Sequence, residues 1–449
     1  MLSTEREPCM IRFALLPLFI IFVGSAFVFP AWAPAAFTPV LELSLKQAEQ
    51  AATASSGQLQ AVESERDAQA ERTTAQYSLL WPKLSFEASY RYQTDVASIP
   101  QPSGARIPLG DHGSYSIGPV LNWTVVDFGS SREAWNSSKS VLAAKGMDSA
   151  AAKKQLLYQL RAVYFRTVLS SAQMKLVQDS LKLAEAQYKD IRNRRSAGSS
   201  SQIDALSSHK EVLSLQREFR QARSDLSQST RDLLSLVNLE DPTESIRLES
   251  LSDLSAQFQT SSANRVVTAD TAAHPRIQAL AFQAEAQSQA ASGIRAGLLP
   301  RIHLSAKASY DYPNGPVLER IQQNTVGVNL SLPLFELSRT RAEAAEKSAL
   351  AQATEFRRIQ AQVDLARDVV KAKDLLESLR EQKDILTTTT QETAELAALV
   401  YESYKAGRSG YLEVQSANLR ALDARVQAAR NEVQILMQLA LLENLTDEK

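Results

Sequence analysis

The chain repeats itself, and that duplication restricts its fold more than any other feature. Asn122-Trp123-Thr124, leading to Phe128 and Arg132, recurs 207 residues later as Asn329-Leu330-Ser331, leading to Phe335 and Arg339. Pro82-Lys83-Leu84 has its counterpart 218 residues on, in Pro300-Arg301-Ile302. Ala197-Gly198, followed by Ile203-Asp204, returns after 209 residues as Ala406-Gly407, followed by Leu412-Glu413. Three markers in one order at near-constant offsets describe two like halves, 36–240 and 269–449, joined by a polar linker at 241–268. Each half reads as helix, strand, strand, very long helix, glycine turn, long helix.

Strands are expected at 82–93, 115–127, 300–312 and 324–335, because apolar and polar residues alternate there with period two. Leu84, Phe86, Ala88, Tyr90 and Tyr92 share one face of the first, against Lys83, Ser85, Glu87, Ser89 and Arg91. Ile117, Pro119, Leu121, Trp123 and Val125 share a face of the second. The other two repeat the pattern with Ile302, Leu304 and Ala306, and with Val326, Val328 and Leu330. One face is apolar throughout and the other carries charge, which suits lipid outside and water inside. Trp81, Trp123, Tyr92 and Tyr312 near the strand ends suit interfacial anchors. The competing reading is a soluble sheet packed on one side. Four strands cannot close a barrel alone, and lipid does not tolerate open edges. A membrane barrel would therefore be shared between subunits.

The helices, expected at about 130–197, 200–238, 337–406 and 409–445, carry apolar residues at spacings of three and four. Examples are Leu181, Ala184, Tyr188 and Ile191; Val212 and Leu215; and Leu419, Leu422, Val426, Ala429 and Val433. No Gly or Pro falls between Arg339 and Ala406, and only Gly146 falls in the matching stretch after Arg132. Helices of this length would each extend about 100 Å at ~1.5 Å per residue, more than any globular core requires.

Residues 1–35 read as an export signal: Arg6 and Arg12, an apolar run from Phe13 to Phe29, then Ala31, Ala33 and Ala35. A retained membrane anchor is the alternative. The single cysteine, Cys9, would leave with the signal, so the mature chain has no disulfide. A net charge of -1 provides no basic surface for nucleic acid, so no nucleic-acid partner is expected. His112, His209, His274 and His303 lie far apart without ligand spacing. No Gly-rich phosphate loop or nucleophile elbow occurs. No metal, cofactor or catalytic set is expected.

Together, the Pro-basic-apolar strand starts, the Phe-to-Arg strand exits and the turn Tyr404-Lys405-Ala406-Gly407 leading to Tyr411-Leu412-Glu413-Val414 resemble the TolC family of outer-membrane efflux channels. The resemblance covers about Leu41 to Leu445. It implies an α+β membrane protein: a homotrimer with a long antiparallel coiled-coil α-barrel, four β-strands per chain in a shared 12-stranded β-barrel, and two internal structural repeats. It implies a passive exit duct of a tripartite efflux or type I secretion system, in the outer membrane of a Gram-negative bacterium, with the helical tunnel in the periplasm. Its partners would be outer-membrane lipid, a periplasmic adaptor protein and an inner-membrane pump of RND, ABC or MFS type. The family's gate residues map onto Asp204, Tyr404, Arg408 and Glu413. Tyr404 and Asp204 would form a latch between inner and outer helix pairs, and Glu413 would line the constriction. Two positions depart from the family pattern. Ser409 stands where the type member has arginine, with Arg408 beside it, and Ser416 replaces a second acid. Read without the resemblance, Asp204 and Glu413 only complement helix dipoles, and Tyr404 packs on Tyr401. The alternative function is a secreted or membrane-anchored coiled-coil structural protein without channel activity.

Overall fold

The structure, a computed structural model, describes residues 41–239, 246–262 and 271–446. The expected export signal and Cys9 lie outside the described residues, as do parts of the expected linker. The elements in order are β1 (Leu41–Leu43), α1 (Leu45–Ser55), α2 (Gly57–Ser78), β2 (Lys83–Tyr92), β3 (Ser98–Pro100), β4 (Arg106–Pro108), β5 (Gly113–Val126), α3 (Ser130–Ser196) and α4 (Gln202–Val237). Then come β6 (Ile246–Leu248), α5 (Leu251–Ser262), α6 (Pro275–Ala296), β7 (Arg301–Tyr312), β8 (Ile321–Ser331), α7 (Leu337–Lys405) and α8 (Tyr411–Leu445). The chain is mostly helical: α3 has 67 residues and α7 has 69. No described helix is long and apolar enough to cross a membrane.

One antiparallel sheet runs in the order β2-β5-β7-β8. Leu84 pairs with Leu121, Leu121 with Ala306, and Ala306 with Val326, so a single apolar row crosses all four strands. The opposite row is Lys83, Asn122, Ser305 and Gly327. Phe86 is 72% exposed, Val326 74% and Leu330 70%, so none of the described residues covers the apolar face. A register shift between Thr124 and Val126 pairs Val126, rather than Val125, with Ile302. β8 begins at Ile321 and stops at Ser331, short of the expected 335. Pro333 has no N–H to give a ladder. At Gly118 an added Cβ would lie 2.0 Å from the Ala308 carbonyl oxygen, so β5 and β7 meet closely only because the residue is glycine.

Aromatic side chains gather at both ends of the sheet. At the helix end Tyr77 meets Trp135 and Trp81, and the Trp123 indole donates to the Leu80 carbonyl at 3.1 Å. At the far end Tyr115 stacks on Tyr312 and Tyr92 on His112. An apolar band between aromatic girdles is the lipid-facing pattern of a membrane barrel.

Asp127 links sheet to helix by accepting from the backbone N–H groups of Gly129 and Ser131, at 3.1 and 2.7 Å, which starts α3. Below the sheet α3 packs on α2, α4 and α6, and α7 on α6 and α8. The principal core lies where β1, β6, α1 and α5 pack on the mid-length of α3 and the end of α8, around Leu160, Phe165, Leu233, Leu254 and Leu436. β1 pairs parallel with β6, and the buried Tyr164 hydroxyl donates to the Leu43 carbonyl at 2.9 Å. Arg161 joins this belt to the long helices by pairing with both Glu49 and Glu443. Heptad residues Ala184, Val212 and Leu215 are buried together, with Leu181 and Tyr188 against them. Leu419 is not: it is 58% exposed, and Val414, Ala417, Ala421 and Ala424 form the buried line of α8 instead.

Candidate functional site

Both long-helix hairpins turn through a glycine with positive φ: Gly198 at 79° and Gly407 at 73°. Ser199 N–H donates to the Arg194 carbonyl and Arg408 N–H to the Ser403 carbonyl, a Schellman closure in each case. The sequence marker at 209-residue spacing is thus one backbone solution used twice. It brings the tips of α3–α4 and α7–α8 side by side, around a small core of Ile191, Ala205, Tyr404, Tyr411 and Val414.

The direct Tyr404–Asp204 contact of the expected latch is not formed. The Tyr404 hydroxyl meets Ser200 Oγ at 3.1 Å, and Ser200 in turn lies 3.4 Å from Asp204 Oδ2. Asp204 is engaged by its own helix: with Ser201 it forms a capping box at the start of α4. Tyr404 also stacks on Tyr401, with ring centroids 6.5 Å apart, so its packing role holds alongside the polar contact. Glu413 occupies the equivalent position of α8, but the N-cap there is Gly410, which has no hydroxyl. The Glu413 carboxylate has no hydrogen bond or ion pair among the described residues and is exposed, as is Arg408. Ser409 donates to the Val400 carbonyl at 3.3 Å, bracing its own hairpin.

The ties between the two hairpins come largely from residues that sequence patterns did not single out. Tyr401 of α7 donates to Asp190 Oδ2 of α3 at 3.0 Å. Arg194 holds the same carboxylate at 3.0 Å and donates to the Lys405 carbonyl at 3.1 Å. Asn418 donates to Gln187 at 2.9 Å, and Gln415 to Glu211. Burial, then the Asp190 contact, push the Tyr401 phenol up to about 12. Burial also raises the Tyr411 phenol, whose hydroxyl has no hydrogen-bond partner among the described residues. Asp190 and Arg194 are four apart on one helix, a spacing that in sequence reads only as a local ion pair. Among the described residues no His, Cys, Asp and Glu side chains gather as a metal site.

A sheet with a bare apolar face and two open edges, set on helices of about 100 Å, is the architecture of an outer-membrane channel chain. The chain belongs to the outer membrane efflux protein family, whose profile matches residues 48–239 and 270–447. Solved channels share its fold. CusC superimposes with a TM-score of 0.76 at 16% identity, over 93% of this chain and 95% of that one. The Campylobacter jejuni CmeC outer-membrane channel gives 0.74 at 15% identity, over 89% and 85%. The Vibrio cholerae outer-membrane protein VceC gives 0.72 at 17%, over 89% and 95%. No curated protein gives a significant sequence match. The protein is a channel of the outer membrane, not an enzyme, and serves as an exit duct for efflux.

Proposed function

We propose that three chains, each giving four strands, close one 12-stranded barrel continuous with a helical tunnel across the periplasm. The observation that carries this is the sheet itself. Its outer strands β2 and β8 each have an unpaired edge, and its apolar face is bare. In lipid both edges must be paired, and β2 of one copy against β8 of the next does so without leaving an open edge. Like halves within the chain, at 36–240 and 269–449, suit such closure. A periplasmic adaptor and an inner-membrane pump of RND, ABC or MFS type supply cargo and energy. Mass measurement of detergent-extracted protein tests the assembly: trimers are expected, and a population of monomers alone refutes it.

The hairpin tips form the gate. Asp204, Tyr404, Arg408 and Glu413 all lie there, and the restraint on the closed state comprises Tyr401–Asp190 and Tyr404–Ser200. Threefold symmetry brings three Glu413 carboxylates toward one axis, where they repel one another and favour cations. The cross-hairpin hydrogen bonds oppose that repulsion.

A further inference from the structure

We infer that the inner wall of the barrel is a cationic ladder that binds small polyanions, such as multiply charged organic phosphates, on their way out. The inference rests on the trimeric barrel proposed above. The polar face of the sheet carries charge on only two of its four strands. β2 places Lys83, Glu87 and Arg91 there, and β7 places Arg301, Lys307 and Asp311. The positions of β5 and β8 that pair with them are Ser, Thr, Asn, Gln, Gly or apolar.

Within this set the two signs are spent differently. Lys307 donates to Ser116 Oγ at 2.7 Å, and Ser116 donates to Asp311 at 2.6 Å, so these opposite charges offset each other through one hydroxyl. Lys83 and Arg91 have no ion pair among the described residues, and the one remaining acid on this face, Glu87, has none either and is touched by Ser85. Arg301 is not free: its charge acts on the Asp127 carboxylate just beyond β5. The excess is confined to the barrel: just below it Arg339 is bound to Glu336 and faces Glu343. The free cations also span the sheet. Lys83 sits at its helix end, and Arg91 lies one residue from the far end of β2. An anion leaving the tunnel would pass from one to the next. A low-dielectric wall in which one sign predominates raises the local concentration of the opposite ion, towards the roughly 10–1000-fold of a wall lined by one sign alone. At the other end of the tunnel Glu413 and Arg408 are both exposed, so these gate residues offer no excess of positive charge. Polyanion binding is therefore a property of the barrel end of the duct.

The test is single-channel recording of purified trimers in planar bilayers in dilute KCl, with tripolyphosphate added to one chamber and then to the other. The expected result is block from the barrel side and little from the tip side. In Lys83→Gln/Arg91→Gln the half-blocking concentration should rise about tenfold or more. These side chains are exposed and have no ion pair among the described residues, so assembly should be unaffected; Lys83→Gln and Arg91→Gln taken singly should each give part of the shift. In 1 M KCl, where the Debye length is about 3 Å, block of the wild type should largely vanish. Equal block from both sides, or the same block in wild type and the double variant, overturns the inference and leaves the barrel standing. Failure to find trimers removes the barrel and the inference together.

Discussion

Replacing Tyr401 with phenylalanine deletes one hydroxyl and keeps the ring that stacks on Tyr404. The lost interaction is a hydrogen bond to a carboxylate, a type contributing about 1.5–3 kcal/mol. Asp190 keeps Arg194 at 3.0 Å and its side chain is 38% exposed, so solvent and the guanidinium take up much of that loss. About 1 kcal/mol per chain is the appropriate figure. If three chains open together, the losses sum to about 3 kcal/mol, or roughly a hundredfold in the closed-to-open ratio. Single-channel recordings at neutral pH should show Tyr401→Phe open far more often than wild type. Tyr404→Phe loses only a contact between two neutral hydroxyls and should have a smaller effect. Correctly assembled Tyr401→Phe trimers that gate like wild type would refute this account of the restraint. The dependence on pH has a definite sign. The phenol donates only while protonated, and its pKa in the fold, about 12, lies above its ordinary value of 10.0. The tie is complete below about pH 10 and is lost as pH rises toward 12.

Leu330→Arg should cost about 2–4 kcal/mol by placing charge in lipid, whereas Asn329→Arg, one residue away on the lumenal face, should be tolerated. Heat-modifiability of the trimers on gels compares them, and equal tolerance would show that neither face meets lipid. Gly118→Ala should prevent β5 from pairing with β7, because its Cβ would lie 2.0 Å from a carbonyl oxygen; wild-type yields of folded trimer would contradict that.

The parts of this molecule legible in the sequence are those where one physical rule acts over many residues. Alternation in β2 and β7 encodes a two-faced sheet, and absence of Gly and Pro from 339 to 406 encodes α7. Ala197-Gly198 and Ala406-Gly407 encode both tip turns, because only glycine enters the left-handed region cheaply. What was not legible depends on distance between separate helices. Asp190 and Tyr401 are 211 positions apart and belong to no repeat-related pair, so nothing local marks them as partners. Ser200, in a run of serines, gave no sign that it stands between Tyr404 and Asp204. A heptad register also cannot say which of two apolar lines the same chain covers. That is why Leu419 is exposed while the alanines of α8 are buried.

The equivalent acids Asp204 and Glu413 show how one residue at the cap changes what a carboxylate is free to do. At α4, Ser201 donates no side-chain proton to the helix but accepts from the N–H of Asp204, and Asp204 returns the favour to the N–H of Ser201. At α8 the cap is Gly410, at φ -84° and ψ 155°, an extended conformation that serine adopts without strain. An added Cβ there meets nothing within 4 Å. Gly410→Ser would therefore create a Ser-x-x-Glu capping box, with Glu413 as the third helical residue. The gain in stability should be only about a few tenths of a kcal/mol, since glycine is itself a fair N-cap. The effect on conduction should be larger. Glu413 would turn back to its own helix, and the tip would lose cation preference although no carboxylate had been removed. Reversal potentials under a KCl gradient measure this against Glu413→Ala. If Glu413→Ala loses cation preference while Gly410→Ser keeps it in full, the carboxylate is held at the axis by something other than the missing cap.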